Sequence, residues 1–265
     1  MNNYIYYYSG TGNSFYLASK LANKLNIEAK SINECDKFDY EDDRFGLFIP
    51  SLYGRLNKSV IDFLKKLSFN NTYIYVIITA KDGKCLKMIN DIIKDSNGKI
   101  NYAKYIECPE NDIISFFKKT KKDDKNKKIL DKALKEVLDI YDDIKNKRNN
   151  DYKDNNVLKK YKKLSDKEFY ERIANYGDYF MFNDDCIRCK ICELTCESQN
   201  ITLAEGFPMW KNHCDGCLRC INMCPYNAIE FEGYTSGKRR YKNPYVDIDE
   251  FGIYLKEEGN ENGKN

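Results

Sequence analysis

Through its first 148 residues the chain alternates short β-prone runs with stretches whose apolar residues recur every three or four positions. Tyr4–Tyr8 is the first such run, and it stops at Ser9-Gly10. Beyond it Ala18, Leu21, Ala22 and Leu25 share a helical face, with Ser14 placed to cap the first turn. Ile27–Ile32 and Phe45–Pro50 fit a second and third strand, and Val60, Phe63, Leu64 and Leu67 mark the next helix. Tyr73–Thr79 is the strongest strand and leads into a helix carrying Leu86, Ile89, Ile92 and Ile93. A fifth strand near Tyr102–Glu107 precedes a longer helix with Leu130, Leu134, Val137, Tyr141 and Ile144. Five strands separated by helices predict an α/β domain, a doubly wound parallel sheet, over residues 1–148.

The periodicity then fades. Residues 149–177 are polar and lysine-rich, with no hydrophobic face wide enough for a core. Ser165 and Glu168 have capping-box spacing, which predicts a basic helical linker running to about Tyr176. Residues 178–233 hold eight of the eleven cysteines and form a second domain; 234–265 is a tail whose polar end is expected to be disordered. Charge follows the same divisions: 118–177 carries 19 basic and 12 acidic groups, 178–233 carries 4 and 9. The lysines are interleaved with Asp and Glu, so they read as a solvated linker and not as a nucleic-acid patch. The acidic segment suits basic partners.

Composition narrows the chemistry. With 32% charged residues and no apolar run of eighteen, no membrane insertion is expected. The N-terminus does not read as a secretory signal, so the protein is expected in the cytoplasm, with its cysteines in a reducing compartment. Metal binding is then the leading use of the sulfur. The lone histidine, His213, excludes most histidine-based metal sites and triads.

Cys186, Cys189, Cys192 and Cys196 are spaced C-x2-C-x2-C-x3-C, and Cys214, Cys217, Cys220 and Cys224 repeat the spacing. Three thiolates at three-residue intervals wrap one corner of a cubane, while the fourth is carried onward to the other cluster. On that logic Cys186, Cys189, Cys192 and Cys224 hold one 4Fe–4S cluster, and Cys214, Cys217, Cys220 and Cys196 hold the second. A zinc ribbon is the bland alternative, but it leaves the middle cysteine of each copy unused. Residues 180–232 resemble the bacterial two-cluster ferredoxins, down to Cys224-Pro225 followed by Ala228-Ile229 and to Asn200-Ile201 in the first copy. Glu197 departs from the proline usual in that family, and Lys190 from a frequent glycine. Neither is a ligand. The resemblance implies a small α+β fold with His213 on the cluster's edge and Trp210 packed in a hairpin.

The loop after the first strand runs Ser9-Gly10-Thr11-Gly12-Asn13-Ser14. Phe15 stands where a dinucleotide fingerprint needs its last glycine, and no lysine completes a Walker loop. A hydroxyl-rich loop remains, whose amides and helix N-terminus suit a phosphate. Residues 1–148 thereby resemble flavodoxin, which implies strand order 2-1-3-4-5 and FMN at the switch between strands 1 and 3. The resemblance assigns Pro50, Leu52, Tyr53 and Gly54 to the flavin, with Tyr53 stacking on the ring beside a peptide free to flip. Thr79 and Gly83 would frame the other side. Cys35, Cys85 and Cys108 have no base near them in sequence and read as incidental thiols.

As a whole the chain resembles fused flavodoxin–ferredoxin proteins of anaerobic bacteria, and Arg239-Arg240-Tyr241 through Pro244 shares that likeness. The resemblance implies a low-potential electron carrier passing electrons between two 4Fe–4S clusters and FMN, exchanging with redox partner proteins. No catalytic residue is assigned. An FMN-dependent reductase fed by the clusters is the enzyme alternative, needing an open pocket with a proton donor. A ferredoxin whose N-terminal half is a flavin-free docking scaffold is a third.

Overall fold

The computed structural model describes residues 4–81, 83–115, 120–154, 164–233 and 235–247. The first half runs β1 (Tyr4–Tyr7), α1 (Asn13–Leu25), β2 (Glu28–Ser31), β3 (Asp39–Glu41), β4 (Arg44–Ile49), α2 (Lys58–Leu64), β5 (Ser68–Asn70), β6 (Tyr73–Ile78), α3 (Cys85–Lys94) and β7 (Ile100–Tyr105). Two further helices follow, α4 (Asp123–Asp139) and α5 (Tyr141–Lys145). The main sheet has five strands in the order β2-β1-β4-β6-β7, every pairing parallel.

Period-two alternation sorts the strand residues into two cores. Tyr6, Tyr8, Leu47, Ile49, Val76 and Ile78 pack with Val60 and Phe63 of α2 and Ile89 and Ile93 of α3. Ile5, Tyr7, Phe48, Tyr75 and Ile77 pack with Leu17 and Leu21 of α1 and Leu130 and Val137 of α4. A strand covered on both faces has no polar side, which is why β6 is buried along its whole length.

Two expectations are corrected. Ser14 does not cap α1: the cap is Gly12, at φ +100° with no side-chain bond, and Ser14 lies inside the first turn. Its Oγ is instead 2.8 Å from Thr79 Oγ1. The parallel pair β3–β5 was not foreseen, because three-residue strands are too short to show a period. The five predicted strands each stop a residue or two sooner than the sequence reading, and those expected from Phe45 and Tyr102 begin earlier, at Arg44 and Ile100.

The lysine-rich segment is more engaged than its composition suggests. Asn150 pairs with the edge of β7 through both Ala103 N→Asn150 Oδ1 and Asn150 Nδ2→Ala103 O, each 2.9 Å. Asp154 accepts from the amides of Leu86 and Lys87 at the start of α3. Helix α6 (Asp166–Ala174) begins with the capping box of Ser165 and Glu168. Phe169 and Ile173, one turn apart, are buried, contrary to the expectation of no core-forming face. The buried Arg55 holds this helix: Nε bonds Asp166 at 2.7 Å and the guanidinium lies 4.5 Å from the Phe169 ring centre. Residues 155–163 of the expected linker and 248–265 of the tail lie outside the described residues.

The last part comprises β8 (Phe180–Phe182), α7 (Ile191–Leu194), β9 (Ile201–Ala204), β10 (Phe207–Trp210), α8 (Arg219–Met223) and β11 (Ile229–Phe231). β9–β10 is an antiparallel hairpin, and β8 pairs antiparallel with β11. Among the described residues no helix is long and apolar enough to cross a membrane.

Candidate metal centre and the adjoining cleft

The sequence repeat is also a backbone repeat, offset by 28 residues. Left-handed φ values recur at Arg188 and Gly216 (60° and 67°), Lys190 and Leu218 (62° and 57°), and Gln199 and Asn227 (51° and 52°). These turns curl each loop around its thiols before α7 or α8 carries the chain to the fourth cysteine. Backbone amides then meet sulfur at matching places: Asn200 N to Cys196 Sγ at 3.2 Å and Ala228 N to Cys224 Sγ at 3.3 Å.

The thiols crowd one another in two sets. Burial pushes Cys192 up to about 12, and Cys189, Cys224 and Cys186 add to it. Burial raises Cys220 further, reinforced by Cys217, Cys214 and Cys196. Cys186, Cys189 and Cys192 line one apolar hollow together with Cys224 of the other copy. Crowded, half-buried thiols are costly to ionise by themselves, and bound metal cations reverse that cost. The indole N–H of Trp210 is buried with no hydrogen-bond partner among the described residues. Trp210 belongs to the β9–β10 hairpin and stacks on Phe180. His213 is exposed, its Nε2 3.3 Å from the Gln199 carbonyl.

The second copy is buried against the parallel-sheet half. Tyr8 donates to Asp215 Oδ2 at 2.5 Å, Asn57 Nδ2 to the Asp215 carbonyl at 2.8 Å, and the Ser59 amide to Asp215 Oδ1. Burial raises the Asp215 carboxyl above its ordinary range, opposed by these donors. Arg219 is fully enclosed: it donates to the carbonyls of Ser9 and Thr195 and bonds Glu197 Oε1 at 2.5 Å. Glu197 in turn accepts from Asn33 Nδ2 at 2.6 Å and Ser31 Oγ at 3.2 Å. Glu197 thus pairs with Arg219 within the cysteine segment and accepts neutral hydrogen bonds from Ser31 and Asn33 of the parallel-sheet half. The stretch after β11 returns to the same place, with Tyr241 OH donating to Asn13 Oδ1 and Asn243 N to the Thr11 carbonyl.

A cleft opens where these parts meet. Of the residues assigned from sequence, Ser9, Gly10, Thr11, Asn13, Ser14, Pro50, Leu52, Tyr53, Gly54 and Thr79 line it. Gly12 sits behind as the α1 cap, and Gly83 packs beneath Ser51 and Gly54. Leu52 and Arg55 exchange backbone bonds of 2.8 and 2.9 Å, so Tyr53-Gly54 is a two-residue hairpin turn with φ of +51° and +88°. The Tyr53 ring meets Phe169 of α6 edge-on at 6.5 Å. Sequence reasoning missed the far wall, which is the loop from Cys108 to Asp112 together with Gly216 and Leu218. No local pattern marks those residues; chain topology brings them there.

Among the described residues the amides of Thr11, Asn13 and Ser14 have no acceptor, apart from the Gly12 amide bonded to Ser9 Oγ beside them. Gly10 is there because nothing larger fits, since a Cβ would collide with the Cys217 carbonyl oxygen.

Comparison with known proteins bears on the cysteine segment. Residues 209–230 match the family described as 4Fe-4S binding domain. The chain is 39% identical over 49 residues to the pyruvate synthase subunit PorD of Methanocaldococcus jannaschii, covering 18% of this chain and 57% of that protein. It is 37% identical over 57 residues to the subunit of the same name from Thermotoga maritima, covering 21% and 58%. The chain thus spans little more than half the length of these relatives. The match supports an iron–sulfur electron-transfer role for the C-terminal part.

Proposed function

We propose that the protein is an electron carrier in which two 4Fe–4S clusters exchange electrons with a flavodoxin-type FMN bound in the cleft. Cys186, Cys189, Cys192 and Cys224 hold one cluster and Cys214, Cys217, Cys220 and Cys196 the other; the mutual crowding of each set supports this partition. For the flavin, the donor set fits. The acceptor-free amides of Thr11, Asn13 and Ser14 stand at the N-terminus of a thirteen-residue helix, where partial positive charge favours a phosphate. Counting main-sheet strands along the chain, the order is 2-1-3-4-5, with the cleft at the switch between the first and third.

The observation that carries the proposal is the contact at Gly10. The loop that would hold the phosphate touches the turn that would hold a cluster, Gly10 against the Cys217 carbonyl and the Ser9 carbonyl on Arg219. When bound, FMN supplies a centre that exchanges electrons singly or in pairs beside centres that exchange one. The chain's part is to fix distance and exclude water. Leu52 and Leu218 wall the cleft with hydrocarbon, while Arg219 bonds the Ser9 carbonyl and Glu197 accepts from Ser31 and Asn33 across the two halves.

The test is iron and acid-released flavin per chain after strictly anaerobic purification. About eight irons and one FMN are expected. Eight irons with no flavin, even after FMN is added, would refute the cleft assignment. Cys189→Ser and Cys224→Ser should lose the same cluster spectroscopically, and Cys196→Ser the other; loss of one cluster by all three would refute the partition.

A further inference from the structure

The glycine- and hydroxyl-rich loop before α1 is held from behind by the segment after β11. Asn243 N donates to the Thr11 carbonyl at 2.9 Å, and Asn243 Nδ2 reaches the Gly12 carbonyl at 3.4 Å and Asn13 Oδ1 at 3.2 Å. Tyr241 OH donates to the same Asn13 Oδ1 at 2.6 Å. On its other side Asn13 donates through Nδ2 to the Pro109 carbonyl at 3.0 Å, tying the loop to the far wall of the cleft. The Tyr241 amide donates to Asn222 Oδ1 of α8 at 2.9 Å, and Asn222 Nδ2 to the Asn111 carbonyl at 3.2 Å. Tyr241 and Asn243 are 2% and 3% exposed and stand outside the lining of the cleft.

The C=O and N–H of a trans peptide point in opposite directions. A donor on the Gly12 carbonyl therefore turns the Asn13 amide away from Asn243, and this amide is one of those without an acceptor. A donor on the Thr11 carbonyl likewise directs the Gly12 amide, which meets Ser9 Oγ at 3.2 Å. The Asn13 side chain is fixed as well: a flip would set donor against donor at Asn243 and acceptor against acceptor at Pro109. We infer that Tyr241 and Asn243 are positioning residues for the flavin phosphate, and that through them the cleft selects FMN over riboflavin, which has the same ring and no phosphate. The inference rests on the flavin reading above and deepens it. Both residues act through Asn13 and the loop carbonyls. Among the described residues neither bonds residues 50–54, the side assigned to the ring, so their loss falls on the phosphate alone.

The experiment uses the iron-loaded full chain with its flavin removed, titrated anaerobically with FMN and separately with riboflavin by flavin fluorescence. Wild type should bind FMN at least about tenfold more tightly than riboflavin. Tyr241→Phe should weaken FMN about tenfold and leave riboflavin within about twofold. Asn243→Asp keeps the acceptor for the Tyr245 amide but sets oxygen against the Gly12 carbonyl and Asn13 Oδ1, and should lose more. Tyr245→Phe is the control, because its hydroxyl ties the same segment to Asp131 of α4 and not to the loop; both affinities should hold. Equal weakening of FMN and riboflavin in Tyr241→Phe would overturn the proposal, leaving those bonds a packing role only. Unchanged FMN affinity in Tyr241→Phe, or an equal loss in the control, would overturn it too. Tyr241→Phe removes a single hydroxyl and carries the test should Asn243→Asp not fold. An iron-loaded wild type that takes up neither flavin fails the underlying reading as well, whereas variants that keep the wild-type preference for FMN fail only this inference.

Discussion

Replacing Arg219 by Met tests how far the buried Arg219–Glu197 pair, which bonds across to Ser9, Ser31 and Asn33, stabilises the protein. Arg219 and Glu197 side chains are 4% and 9% exposed. Burial works against the guanidinium charge, but Glu197 and other neighbouring negative groups outweigh it and raise its pKa. Met fills similar volume yet leaves the enclosed Glu197 without its cationic partner, and strips the donors from the Ser9 and Thr195 carbonyls. Breaking a buried pair by removing one partner costs about 3–5 kcal/mol. For a chain near this size each kcal/mol moves the midpoint by about 2–4 °C, so a fall of about 10 °C is expected. The assay is an anaerobic thermal ramp followed by far-UV circular dichroism at fixed scan rate, because cluster loss makes the transition kinetic. Adding Glu197→Gln should return part of the loss, since the orphaned charge is then gone. An iron-replete Arg219→Met protein melting within about 2 °C of wild type would refute the reasoning.

Gly10→Ala should retain iron but weaken FMN binding by about tenfold or more, read by flavin fluorescence titration, because the new methyl must displace the Cys217 carbonyl; its φ lies outside the left-handed range, so backbone strain is not the cause. With clusters intact, a thiol reagent at pH 8 should modify Cys35 quickly and leave Cys85 and Cys108 unmodified, by mass spectrometry, since both are buried and burial pushes Cys85 up to about 12 and Cys108 higher. The same raised values mean that the unfolded state releases these protons first, so stability to urea should fall as pH rises beyond the ordinary thiol range near 8.5, and Cys85→Ala should flatten that fall. Asp166→Asn should speed protease cleavage around α6 by a few-fold while leaving iron content unchanged, because Asp166 pairs with Arg55 and Lys84 at a surface more than half exposed.

The elements that could be read in the sequence are those whose signal is local. Tyr73–Thr79 read as a strand because every residue of β6 is buried, and Ser165 with Glu168 read as a helix start because both caps lie within four residues. Eight cysteines in duplicated spacing carried the metal chemistry in the same way, and the 4Fe-4S domain match falls on the second copy. The glycine- and hydroxyl-rich loop announced a helix N-terminus, though not that Ser14 would turn to Thr79 in place of capping it.

What the sequence could not determine lies between residues far apart in the chain. Glu197 read as a missing proline, yet it is the anion that Arg219, Asn33 and Ser31 share. No local pattern marks Asp215, which is the acceptor for Tyr8, 207 positions earlier. The far wall of the cleft, Cys108 to Asp112 with Gly216 and Leu218, has no pattern of its own. Nor could spacing distinguish two copies with identical cysteine order, although one is covered and the other open. Periodicity and cysteine spacing are properties of a few neighbouring residues, so the sequence alone determined the main strands, the helices and the duplicated cysteine pattern. Which charges are paired, and which copy of the cysteine repeat is covered, depend on how separate segments exclude water from one another, and only the tertiary structure decides that.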